Sequence, residues 1–207
     1  MIAAEIAVAN AQDHLEPEPA VLSDRDAYYS KVREVFAPAY RPEVILRIVI
    51  APSSIPEEVA GIRRTVDGHQ AFAVTSESAV WDTYFILTAR PSGDVLRELK
   101  RRAPSDYREI VTHVYSAPIS LKIVQRLVQI WHKMLLNTRK PTDGSIGLDG
   151  TTYRFDLLSI KGKSAEVWSP KKGTKALALV QIGIALSKYA RHQLNEKELA
   201  RTLQAFE

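Results

Sequence analysis

Residues 43–51 read EVILRIVIA, and this run constrains the fold more than any other segment. Its β-branched composition and length suit a mostly buried strand, stopped by Pro52, Ser53 and Ser54. A buried strand needs neighbours, and the sequence supplies candidates. Residues 58–64 and 70–75 flank Asp67-Gly68, a dipeptide that supports positive φ and hence a tight hairpin turn. Residues 79–88, with Trp81, Tyr84 and Phe85, read as a further apolar strand, which extends the pattern to an antiparallel meander. A β-branched run over 107–116 ends before Pro118, and strands over 151–158 and 164–168 form a second hairpin around Lys161-Gly162-Lys163.

The helices are read from a different period. Tyr28, Val32, Val35 and Phe36 recur at helical spacing over 24–36, with Ser23 or Asp24 as cap and Pro38 beyond the end. Residues 92–102 predict a short basic helix. The clearest case is 120–137, where Ile123, Val124, Leu127, Ile130, Trp131, Met134 and Leu135 share one side and Lys122, Gln125, Arg126, Gln129 and Lys133 the other, the pattern of a helix lying on a sheet. A helix from Thr174 to about Tyr189 is apolar on most sides, so burial is expected; a last one over 195–206 opens with Asn195 and has Glu198 three residues on.

Strands and helices do not alternate as βαβ units, so the expected class is α+β: an antiparallel sheet with helices packed on one face, in a single domain over residues 23–207. Residues 1–22 form an acidic lead-in, flexible or extended around its Glu-Pro pairs. They carry Glu5, Asp13, Glu16 and Glu18 without Lys or Arg, so of the net +4 the remainder holds +8. A basic surface favours acidic partners. Charged residues interrupt every hydrophobic run before the roughly 18 to 20 apolar residues of a membrane span, so no membrane insertion is expected. Residues 9–11 suit a signal-peptidase site, but Glu5 and the lack of a basic n-region argue against a signal. The expected location is cytoplasmic, or periplasmic if the true N-terminus lies upstream.

No motif marks a reaction. The chain has no cysteine, which removes disulfides, thiolate metal sites and a cysteine nucleophile. Gly162-Lys163-Ser164 resembles the end of a phosphate-binding loop, but Leu157 stands where that loop needs glycine. Ser169-Pro170-Lys171-Lys172 has Ser-x-x-Lys spacing without the companion motifs of acyl-transfer enzymes. The histidines at 14, 69, 113, 132 and 192 are too scattered to form a recognisable metal pair. No metal or cofactor is therefore expected. Glu57 and Glu58 are adjacent, so on a strand they point to opposite faces and do not form an acid/base pair by themselves.

In order, RIVIAPSSIPE ending at Glu57, Trp81, WHKMLL from Trp131, LDGTTYRF containing Asp149, and WSP from Trp168 with Gly173 resemble landmarks of uncharacterised proteobacterial proteins. The resemblance spans residues 43–190 and implies no reaction. A functional reading has Glu57, Trp81, Asp149 and Trp168 line one site. By analogy of type with small bacterial α+β binders, the chain reads as a protein-binding module: an immunity-type inhibitor that neutralises a cognate toxin by occluding it. One alternative is a small-substrate hydrolase or transferase built on Glu57 and Asp149. Another is nucleic-acid binding through the basic residues near 97–108, among them Arg97, Arg101 and Arg102.

Overall fold

The structure, a computed structural model, describes residues 14–17, 24–53, 55–139, 150–158 and 163–206. Ser23, the turn at Lys161-Gly162 and the stretch containing Asp149 lie outside the described residues.

Among the described residues seven antiparallel strands form one sheet: β1 (Glu16–Pro17), β2 (Val44–Pro52), β3 (Glu58–Thr65), β4 (Gly68–Ser76), β5 (Thr112–Pro118), β6 (Thr151–Leu157) and β7 (Lys163–Trp168), in the order β1-β7-β6-β2-β3-β4-β5. The β-branched run is central, with β3 on one side and β6 on the other, which is why it is apolar on both faces. The β3–β4 hairpin turns where Asp67-Gly68 predicts it, with Gly68 at φ 131°. The second hairpin pairs β6 with β7. Within the acidic lead-in, Glu16 pairs with Glu166 and Leu15 is fully buried in the core.

Among the described residues six α-helices accompany the sheet: α1 (Asp24–Val35), α2 (Val80–Ala89), α3 (Gly93–Arg102), α4 (Leu121–Leu136), α5 (Lys175–Ala190) and α6 (Glu196–Thr202). The class is thus α+β with helices packed on an antiparallel sheet, as the sequence implies. The apolar stripe of α4 and most of α5 bury against Leu46, Ile48, Ile62, Ala73, Phe155 and Leu157, and α6 closes that layer through Leu199. Asn195 and Glu198 make the reciprocal cap of α6.

The other face is covered in part. Tyr28, Tyr29, Val32 and Phe36 of the α1 segment and Val80 of α2 pack on Val44, Val49, Val59, Phe72 and Val74. Here Gly61 admits the Phe72 ring; a Cβ at 61 would meet Phe72 Cζ at 2.8 Å and collide with the Leu46 carbonyl. The strand expected over 79–88 is a helix, α2. Its aromatic and β-branched content favours a strand locally, but its N-terminus receives a carboxylate from elsewhere in the chain. The strand expected over 107–116 begins only at Thr112, because Asp106 accepts from the Arg108 backbone N–H and turns 107–109 into a short 3-10 helix.

Candidate functional site

Glu57 stands just before β3 and Glu58 begins it, so the two side chains diverge as the pleat requires. Glu58 turns to α5, where Ser187 donates to it and Arg191 lies 3.8 Å away. Glu57 turns to the opposite face and is 1% exposed. Its Oε2 accepts from the Val80 backbone N–H at 2.7 Å, and its Oε1 from the Trp81 N–H at 2.9 Å and the Tyr28 hydroxyl at 2.6 Å. These amides open α2, so Glu57 caps that helix from a distant strand and meets the positive end of its dipole. Burial pushes the Glu57 carboxyl up; the hydrogen bonds from Tyr28, Val80 and Trp81 oppose this without cancelling it. Burial, and then the charge of Glu57, push Tyr28 well up.

The same bonds fix an aromatic cluster. The Trp81 ring meets Tyr28 edge-on at 5.2 Å and stacks on Tyr84 at 5.8 Å, while Tyr84 meets Tyr28 at 5.8 Å. Trp81 remains 39% exposed. A large ring is therefore presented to solvent on a rigid base, its backbone and its neighbour both held by one buried carboxylate.

Beside it lies α3, docked on α2 through Leu99, Ala103 and Ile86. Its arginines are engaged with acids: Arg97 with Asp94, Arg101 with Glu98 at 3.3 Å, and Arg102 with Asp82 at 2.8 Å. Asp82 is nearly buried, and burial raises its carboxyl against the pull of Arg102. Arg102 thus ties α3 to α2.

Trp168 sits at the end of β7, on the same end of the sheet as Glu57, and its ring presses on Gly150, where a Cβ would come within 2.7 Å. Three strand spacings separate β7 from β3, roughly 14 Å. Glu57 and Trp81 are therefore brought together, and Trp168 stands apart from them. Asp149 lies outside the described residues.

The sequence reading missed a second buried polar group on this face. Arg47 and Asp156 are direct cross-strand partners, joined Nε to Oδ2 at 2.6 Å. Asp156 Oδ1 also accepts from Ser164 at 2.5 Å and Arg154 at 3.3 Å. Arg47 donates to the Ala39 carbonyl at 3.2 Å and stacks 3.8 Å over Tyr40, pinning the segment after α1 to the sheet. Arg154 lies over Tyr29, whose ring adjoins Tyr28 at 5.2 Å, so both polar groups meet through the tyrosines of α1. The available signal was a lone Arg inside an apolar strand and a lone Asp in another.

No family model, curated protein or solved structure matches this chain. Among the described residues no cluster of His, Asp and Glu has the arrangement of a metal site, and no helix is long and apolar enough to cross a membrane.

Proposed function

We propose that this chain is a protein-binding module, an immunity-type inhibitor that occludes a cognate bacterial toxin, and that it docks through the Trp81 platform with α3 as its charged rim. The observation that carries the reading is the partly exposed Trp81, held in place by Glu57 and Tyr28. Tryptophan, tyrosine and arginine dominate binding energy at interfaces, and a rigid aromatic anchor loses little entropy on docking. The carboxylate-based enzyme reading draws less support, because Glu57 is buried and embedded among three donors. The nucleic-acid reading is weakened by the carboxylates that engage Arg97, Arg101 and Arg102.

The test is co-expression with the product of each adjacent gene, read by growth and by the mass of the purified mixture. The expected result is rescue of growth by a 1:1 complex, with Trp81→Ala weakening binding by about 30-fold or more, equivalent to ~2 kcal/mol. Absence of both rescue and complex overturns the reading.

A further inference from the structure

The sheet ends differently at its two edges. At one, β1 is two residues long and offers a glutamate and a proline, the usual protection of an edge. At the other, β5 runs seven residues, THVYSAP, without a Lys, Arg, Asp or Glu. Val111 (50% exposed), Val114 (48%) and Tyr115 (39%) are open along it.

The direction of its backbone groups follows from the ladder. Val111 accepts from the Glu77 N–H at 3.0 Å, and Ile119 donates to the His69 carbonyl at 3.1 Å. Residues 111, 113, 115, 117 and 119 therefore bond toward β4, and Thr112, Val114 and Ser116 turn their backbone groups outward, while the Pro118 carbonyl accepts from the Tyr189 hydroxyl. Among the described residues no strand pairs with this side of β5, and an unpaired edge templates association.

We propose that β5 pairs antiparallel with β5 of a second copy of this chain about a two-fold axis at Val114, joining the two sheets into one. In this register Val114 faces its own copy and Thr112 faces Ser116, a pair of hydroxyl residues that suits cross-strand contact. Tyr115 lies beside His113, and exposed Val111 covers Ala117. No like charges meet. Pro118, which has no N–H, falls beyond the paired residues; an axis at Ser116 would set it opposite Val114 and delete a ladder bond. The chain before Thr112 also brings exposed Arg108 toward the groove at the far end of β5, which is lined by Pro118, His192, Glu196 and Glu198. A contact of this kind is self-complementary, as a closed two-fold dimer requires. It pairs backbone groups of β5 rather than the Trp81 ring and stands whether or not the toxin reading does.

Sedimentation equilibrium of the full chain, from about 1 µM to about 500 µM, is expected to show twice the 23.2 kDa monomer mass with a Kd below about 100 µM. Hydrogen exchange should find the amides of Thr112, Val114 and Ser116 increasingly protected as concentration rises. Val114→Lys and Ser116→Pro act on outward positions, leave the β4 ladder intact and should yield folded monomers; Arg108→Glu should weaken the dimer. A monomer across the whole range overturns the proposal. So does a dimer in which those three amides exchange freely, because its contact then lies elsewhere. Protection that appears only when another protein is added also overturns it, and assigns the edge to that protein's strand.

Discussion

A carboxylate held at 1% exposure must replace its lost water with other donors, and Glu57 and Asp156 do so differently. Asp156 is matched by arginine, whereas among the described residues Glu57 is met by neutral donors, and burial prevails in raising its carboxyl above the ordinary 4.5. For a raised acid, the contribution of protonation to stability is fully present below the unfolded value and lost as pH rises through the folded one. Glu57→Gln removes that dependence. Chemical denaturation should therefore show the stability margin of the wild type over Glu57→Gln widening as pH falls from 7 toward 4; a narrowing margin would mean that the hydrogen bonds outweigh burial. Asp156→Ala strands the buried Arg47 and should cost about 3–5 kcal/mol, while the double substitution Arg47→Met with Asp156→Leu should recover most of it. A denaturation cycle over the wild type, the singles and the double measures this. Neither pairing was legible beforehand, because the partners stand 109 residues apart in one case and 23 or more in the other.

At the scale of elements, legibility followed how much of the deciding physics was local. The stripe of α4 and the uniformly apolar α5 carry their own period, and both form where the spacing places them. Segment 80–89 shows the opposite case. Its residues prefer a strand, and it becomes α2 because Glu57 satisfies two amides at its start and Arg102 holds Asp82 in its first turn. Removing the cap should loosen this helix selectively. In Glu57→Ala, hydrogen exchange is expected to speed up across α2 by about tenfold or more, the equivalent of ~1.4 kcal/mol, while α5 amides keep their wild-type order. Uniform acceleration of both would indicate global destabilisation and remove α2 as a separately capped unit.

The whole molecule is arranged around β2, and this is where local and tertiary information divide. The sequence by itself determined that residues 43–51 form a buried strand, that two hairpins and an amphipathic helix accompany it, and that the class is α+β; each depends on neighbours a few positions away. Tertiary structure decided the strand order, the cover over the second face, the helical state of α2, and the meeting of Glu57 with Trp81 without Trp168. Those outcomes rest on which distant group satisfies a buried charge or an orphaned amide, and periodicity does not encode the address of a partner.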